Sequence, residues 1–478
     1  MIKKFLILIT LIGGVFLSCS DNSESRHKKD TVAFDLDSIR VRGRLIAVTD
    51  FNSTSYFIYR GEPMGFHYEL LKAFADHLGL DLEIITGNRL EDAYDMLNSG
   101  QADLLAMGLT VNESGIKEIR FTEPIDNTRQ VLVQRKPYKW QTMSASFLES
   151  KLLRNHADMS GKTIYVQKGS PDAECLDSLA KEIGKQISVI EVPYESEALI
   201  RLVDNGEIDY AVCDENVALV NATYFADIDV RTPVSLTQDL AWGIRTAHSD
   251  QLKEELNNWI TNFRKTQSYA LIYAKYFKNV RSNAIVKSDY YAMSTGKVSP
   301  WDDLIKVYSD SIKWDWRLLA SLIYQESRFI PDVVSRVGAY GLMQIMPETG
   351  KHFGIDITSS PQNNLKAGAK YINCLHNIFD TKIPDINERA KFILASYNAG
   401  PGHVLDAMKL AEKNGNDPQK WEENVAVWLQ KKSEPQYYND SVVKYGYFKG
   451  KESIAFVHQV LDRYEHYKNI VPDIKDPL

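Results

Sequence analysis

Leu97-Asn98-Ser99-Gly100-Gln101-Ala102-Asp103-Leu104-Leu105-Ala106 returns further along the chain as Leu202-Val203-Asp204-Asn205-Gly206-Glu207-Ile208-Asp209-Tyr210-Ala211. In each copy a helical end meets a glycine, the residue that closes a helix in the left-handed conformation most cheaply. An apolar run of strand character follows. A helix turning into a buried strand, made twice, implies two similar α/β lobes. The flanks agree. Leu45-Ile46-Ala47-Val48 is a short apolar strand, Tyr68 to Leu78 carries Leu70, Leu71, Phe74 and Leu78 at helical spacing before Gly79, and Leu82-Glu83-Ile84-Ile85 is a strand again. Strand, helix and strand of this size make a right-handed βαβ unit. Gly161-Lys162-Thr163-Ile164-Tyr165-Val166 opens the second lobe, and Leu240-Ala241-Trp242-Gly243-Ile244 returns the chain to the first.

Outward from this module the chain changes character on both sides. A length of 478 residues exceeds one hydrophobic core. The net charge of -7 disfavours nucleic acid, whose phosphates need a basic face. Twenty-five tyrosines and eight tryptophans suit sugar stacking, although aromatics more often fill cores. At the start, Lys3 and Lys4 precede the apolar run Phe5 to Leu17, which is too short to span a bilayer and has the form of a secretory signal. Leu17-Ser18-Cys19 resembles a bacterial lipobox, which implies that Cys19 is lipidated; an ordinary signal with an incidental cysteine is the alternative. Ser20, rather than Asp, after the cysteine implies the outer membrane, facing the periplasm. The expected division is a signal over 1–18, a polar tether over 19–40, the two-lobed module over 41–281 with its second lobe at about 135–235, a connection over 282–300, and a mainly α module over 301–478. Cys175, Cys213 and Cys374 make an odd remainder. Cys175 and Cys213 are able to pair, but free thiols are the expectation, and no spacing suggests a metal.

The last module is helix after helix: Trp301 to Ser311, Trp316 to Gln325, Asn364 to Phe379, Ile386 to Tyr397 and Ile454 to Tyr467. In Trp316 to Ser327, an apolar stripe of Trp316, Leu319, Leu322 and Ile323 also contains Glu326. A carboxylate facing inward near a helix C-terminus is disfavoured as an anion by desolvation and by the dipole, which suits a general acid. The competing reading puts Glu326 at the stripe's edge, in solvent or paired with Arg328. Asp332 and Glu348 are close in sequence, but both fit solvated loop or cap positions.

Two resemblances bear on these alternatives. Gly65-Phe66-His67-Tyr68-Glu69-Leu70, Gly100-Gln101-Ala102-Asp103, Leu109-Thr110, Phe121-Thr122-Glu123-Pro124 and Gly206-Glu207-Ile208-Asp209 resemble, in order, the family 3 solute-binding proteins from about Arg42 to Val280. The resemblance implies a two-lobed ligand-binding fold with Glu69, Thr110 and Asp214 as candidate ligand contacts. A solvated strand-end charge remains the alternative for Asp214. The family's carboxylate-gripping arginine, six residues before Phe121, is Gly115 here, so an ordinary amino acid lacks its expected anchor.

Glu326-Ser327-Arg328-Phe329, Gly338-Ala339-Tyr340-Gly341-Leu342-Met343-Gln344-Ile345-Met346-Pro347 and Ala395-Ser396-Tyr397-Asn398-Ala399-Gly400-Pro401-Gly402 closely resemble the three signatures of the soluble-lytic-transglycosylase domain. Pro361, Asn364-Leu365 and Tyr371-Ile372 match its intervening helix, and Tyr445 to Tyr464 one of its branches. That resemblance implies a lysozyme-like fold acting on peptidoglycan glycan strands without cofactor or metal. It implies Glu326 as catalytic acid and base, with Ser327, Gly341, Met343, Gln344, Tyr397 and Asn398 at the substrate and Tyr464 hydrogen-bonded to Glu326. Cleavage between N-acetylmuramic acid and N-acetylglucosamine would leave 1,6-anhydromuramic ends. Ser396 departs from the family's usual Ala, and Ser453-Ile454 from Thr-Arg in other branches. The whole order resembles the membrane-bound lytic murein transglycosylase F family. A water-using muramidase, a peptidoglycan-sensing lipoprotein and a transporter's delivery protein are the competing functions. Cell-wall peptides are the candidate ligand of the first module.

Overall fold

The computed structural model describes residues 35–87, 89–111, 119–223, 225–278 and 297–470. The signal, Cys19, Gly115 and most of the connection over 282–300 lie outside them. Among the described residues no helix is long and apolar enough to cross a membrane.

The first lobe is built on a sheet ordered Asp81–Thr86, Arg44–Thr49, Leu104–Thr110, Gln238–Arg245 and Ile119–Phe121. The first three strands run parallel, and Gln238–Arg245 runs antiparallel to Leu104–Thr110. Parallel strands need crossovers, which cover both faces and make the central strands continuously apolar. Leu104, Leu105, Ala106 and Met107 are accordingly all buried. Helix Phe66–Leu78 presses Phe66, Leu70, Leu71 and Phe74 onto one face with Trp242, and Ala93 and Leu97 cover the other with Val48 and Leu105. The glycine-closed turn is held from outside: buried Arg245 donates to the carbonyls of Leu97 and Ala102, and Asp103 accepts from the Ile46 amide at 2.8 Å and pairs with Arg42.

The second lobe has the order Ser188–Val192, Thr163–Gln167, Tyr210–Asp214, Gln130–Arg135 and Ile228–Pro233. Gln130–Arg135 belongs to this sheet, so the lobe begins slightly before the expected 135. The expected tether also ends earlier, because Leu36–Arg42 is a helix that buries Leu36 and Ile39. Asp35 accepts from Leu36 N at its start and from Leu252 N on helix Asp250–Phe263.

The helical module contains Asp302–Ile312, Trp316–Ser327, Pro347–His352, Pro361–Phe379, Ile386–Ala399, Pro401–Lys413, Ala426–Lys431 and Gly450–Ile470. Pro347–His352, Pro401–Lys413 and Ala426–Lys431 are additions to the helices expected from periodicity. Proline at the first helical position of the first two supplies the start signal. The long closing helix Gly450–Ile470 lies along Trp316–Ser327, where Ser321 Oγ donates to Val460 O at 2.6 Å.

Its last turns reach the first lobe. Tyr56 Oη and His466 Nδ1 are 2.8 Å apart, Tyr467 Oη donates to Gly61 O at 3.0 Å, and Asn469 Nδ2 donates to Ile84 O at 2.5 Å. The hairpin of Phe57–Tyr59 and Glu62–Met64 reciprocates by burying Ile58 in the helical core. Its Gly61 has φ +81°, and a Cβ there would lie 2.7 Å from Tyr467 Oη and closer still to the Tyr324 ring. Only glycine fits both the backbone and the gap.

Candidate active site

Asp315 opens helix Trp316–Ser327 by accepting from the Arg317 amide at 2.9 Å while its carboxylate pairs with the Arg317 guanidinium at 2.6 Å. Leu319, Leu322 and Ile323 anchor the helix in the core. It ends where Arg328 and Phe329 both take positive φ, 52° and 63°. Glu326 therefore occupies the last turn. Its side chain is half-buried, and no hydrogen bond or ion pair from a described residue reaches its carboxylate. The pairing with Arg328 weighed from sequence does not form. Burial pushes the Glu326 carboxyl up to about 8, with no contribution from any neighbouring charge.

Facing this helix end is the turn Tyr340 to Ile345, closed by reciprocal amide–carbonyl bonds of 3.0 Å between those two residues. Asn364, fully buried, clamps it: Nδ2 donates to Tyr340 O at 2.7 Å and Oδ1 accepts from Met343 N at 2.8 Å. Gly341, at φ +80°, leaves room for that amide. Ser327 Oγ donates to Leu342 O at 2.7 Å, tying the turn to the acid's helix. Gln344 Nε2 donates to Gly341 O and Val333 O. Tyr397 Oη donates to Met343 O at 2.8 Å, and its phenol is pushed up by burial and by the charge of Glu326. Asn398 Oδ1 accepts from Ser453 Oγ at 2.6 Å.

Two expectations change. Tyr464 does not support Glu326; its hydroxyl donates to Asp315 Oδ2 at 2.9 Å. Asp315 begins the helix that Glu326 ends, about 16 Å away along the axis, and one side chain cannot serve both. The Met343 side chain, expected at the substrate, turns into the core. It is fully buried against Gly368, leaving only its backbone at the site.

In the first module a cavity of about 200 Å³ lies between the lobes. Thr110 and Asp214 line it, and Asp214 accepts from Gln130 Nε2 at 3.2 Å. Burial and the neighbouring Asp172 raise Asp214 well above the carboxylate range, which is not the state of a solvated strand-end charge. Glu69 lies outside this cavity, bound to Lys275 at 2.5 Å and to the Tyr276 hydroxyl. Cys175, Cys213 and Cys374 are free thiols. Among the described residues no cluster of His, Cys, Asp and Glu is arranged to hold a metal.

Residues 303–420 match the transglycosylase SLT domain family, and residues 45–279 match the bacterial extracellular solute-binding proteins, family 3. The membrane-bound lytic murein transglycosylase F of Desulfosudis oleivorans is 32% identical over 432 residues, covering 90% of this chain and 91% of that one. The protein of that name from Pseudomonas fluorescens Pf-5 is 32% identical over 439 residues, covering 90% and 86%. The chain belongs to the membrane-bound lytic murein transglycosylase F family. An ancestral amino acid-binding protein, a precursor of cyclohexadienyl dehydratase, is a 24% identical structural neighbour covering 50% of this chain and 98% of its own, with a TM-score of 0.42. By the two family matches, a solute-binding module precedes a helical SLT module in this transglycosylase.

Sequence reasoning missed the clamping role of Asn364 in this lytic transglycosylase. Its signal was present: an amide at an otherwise buried helical position needs partners, and the nearby Gly-rich turn offers them. It also missed how Ser396 sits. The hydroxyl is fully buried and finds no hydrogen-bond partner among the described residues.

Proposed function

We propose that Glu326 is the single catalytic acid and base of this transglycosylase, cleaving the β-1,4 bond between N-acetylmuramic acid and N-acetylglucosamine. The observation that carries this reading is a carboxyl with no hydrogen-bond or ion-pair partner among the described residues, held protonated at neutral pH by burial. Glu326 gives its proton to the leaving O4 as the C1–O4 bond breaks, and the substrate's N-acetyl oxygen stabilises the cationic C1. The muramic 6-hydroxyl then attacks C1, forming the O6–C1 bond and returning its proton to Glu326. The product ends in 1,6-anhydromuramic acid, and no water is consumed. An ordinary glycosidase places a second carboxylate opposite the acid; among the described residues none is hydrogen-bonded or ion-paired with Glu326, which supports the internal nucleophile. Ser327, Asn364, Gly341 and Tyr397 position the turn whose Met343 and Gln344 backbone borders the sugar's N-acetyl group, and Asn398 lines the same cleft. Mass spectrometry of digested peptidoglycan tests this. Wild type is expected to release anhydromuramic ends and Glu326→Gln to lose at least ~10²-fold in rate. Reducing muramic ends would favour the muramidase alternative, and near wild-type turnover of the variant would remove Glu326 from the reaction.

The chain is read as a lipoprotein tethered through Cys19 to the outer membrane, with its modules at the periplasmic glycan. The membrane-bound naming of its relatives supports this reading. Cys19→Ala is expected to release the protein from membranes, and detergent-requiring association of that variant would contradict the tether. The first module is read as a regulator that takes a cell-wall peptide. The hairpin carrying Gly61 follows cleft residues Thr54 and Ser55 directly and touches Tyr324 on the helix of Glu326, which provides a path from lobe closure to the acid.

A further inference from the structure

Asn398 is followed by the corner Ala399-Gly400-Pro401-Gly402, which joins helix Ile386–Ala399 to helix Pro401–Lys413. Against that corner lies open aromatic surface. Among the described residues of the helical module, Tyr445 and Tyr447 are the exposed aromatic rings, 59% and 52% accessible. A single exposed ring needs no explanation, but two on one short loop make an apolar patch, and such patches mark contact surfaces. The Tyr445 ring is seated on a glycine. A Cβ at Gly402 would lie 2.7 Å from Tyr445 Cε2, 2.7 Å from Cζ and 2.8 Å from Cδ1. Cε2 and Cδ1 stand opposite each other across the ring, so the ring lies flat over the Gly402 backbone. One face is covered by the glycine, and the other looks to solvent.

The loop beneath the rings is fixed from the core. Asp406 accepts from Lys444 N at 2.9 Å and from Tyr445 N at 2.8 Å, while the same carboxylate pairs with fully buried Lys432 at 2.7 Å. His403 stacks on Phe448 at 4.3 Å and meets Tyr445 at 6.1 Å and 63°. Tyr438 meets Tyr447 edge to face at 5.7 Å and 84°. Gly446, at φ +64°, supplies the left-handed turn between the two tyrosines. Rings held this way lose little freedom when a ligand settles on them, which favours binding. No described residue hydrogen-bonds either hydroxyl.

We propose that Tyr445, with Tyr447 beside it, is a stacking platform for a sugar ring of the glycan strand, away from the bond that Glu326 cleaves. A pyranose has a flat face of C–H groups and a rim of hydroxyls, which matches an open phenol face with a solvent-facing hydroxyl. A peptide stem is gripped through main-chain groups or charges, and the rings offer neither. Continuity with the cleft argues for the same strand: Gly402 follows Asn398 within roughly 14 Å of chain. The two tyrosines act on strand binding and take no part in proton transfer. The proposal rests on the reading of the Glu326 cleft as a glycan site, and it names where a longer strand is held.

Steady-state kinetics on the full chain test it, with stem-free glycan strands of graded length as substrates and thermal unfolding to check the fold of each variant. Tyr445→Ala is expected to raise KM for long strands about three- to tenfold, the size of one aromatic contact, while kcat holds. The rise is expected to grow with strand length and to vanish for strands too short to reach the ring. Tyr445→Phe keeps the ring and is expected to keep the wild-type KM. Gly402→Ala keeps Tyr445 but unseats it, and is expected to raise KM as Tyr445→Ala does. Tyr447→Ala is expected to raise KM in the same length-dependent way, and it tests the platform should Tyr445→Ala fail to fold. Tyr138→Ala, an exposed ring of the first module, is the control. Wild-type KM in both Tyr445→Ala and Tyr447→Ala, a rise independent of strand length, or a rise confined to stem-bearing strands would overturn the proposal. Product ends keep it distinct from the reaction. Reducing ends together with the length-dependent rise would remove the anhydro-forming step and keep the platform, whereas anhydro ends with wild-type KM in both alanine variants would do the reverse.

Discussion

Glu326→Gln is expected to stabilise the folded protein at alkaline pH while it abolishes cleavage. In the folded chain the carboxyl stays protonated to about 8, against 4.5 for an unburied glutamate. Between those two values the unfolded chain has released a proton that the folded chain retains. The folded state therefore binds more protons, and stability falls as pH rises through this window. Each pH unit costs about 1.4 kcal/mol, so the full window amounts to roughly 5 kcal/mol. Because the side chain keeps some contact with solvent, about 2–4 kcal/mol is the expected loss. Below the window the acid is neutral in both states and costs nothing. Glutamine is neutral throughout. Urea unfolding of both proteins at pH values from about 4 to about 9 should give matching stabilities at the acid end and a gap of about 2–4 kcal/mol, in favour of the variant, at the alkaline end. Stability curves that run parallel across the whole range would refute the reasoning, because they would mean that Glu326 is no more protonated in the folded than in the unfolded chain.

Asp406→Ala is expected to destabilise the helical module by about 3–5 kcal/mol, because it strands Lys432, which is fully buried 2.7 Å from that carboxylate, and frees the Lys444 and Tyr445 amides that Asp406 also holds. Thermal unfolding measures this, and a shift within error of zero would show that water satisfies the pair. Ser396→Ala is expected to be neutral or stabilising by about 1 kcal/mol, since it removes a buried hydroxyl without a described partner; clear destabilisation would reveal a bond to that oxygen.

The sequence by itself determined the elements, the order of the modules and the acid's helix. Glycines at 100 and 206 close two helices in the left-handed conformation, and the apolar runs after them become the buried strands Leu104–Thr110 and Tyr210–Asp214, because these are local consequences of backbone freedom and side-chain pattern. The stripe from Trp316 to Ile323 likewise marked the inward face of that helix, since helical periodicity is a property of the chain alone, but it left Glu326 open between that face and its solvent edge until the flanking motifs were read. Tertiary structure decided what surrounds those positions. That Tyr464 meets Asp315 rather than Glu326 depends on how far the closing helix slides along its neighbour. That Met343 points into the core, and Asn364 reaches back to grip its amide, depends on two segments joined only by packing. The same holds between the modules. Nothing local links Tyr56 to His466 or Gly61 to Tyr467, and the carboxylates of the cleft come from separate loops of both lobes. Charge crowding and burial arise from convergence in space, and a one-dimensional pattern carries the residues but not their meeting.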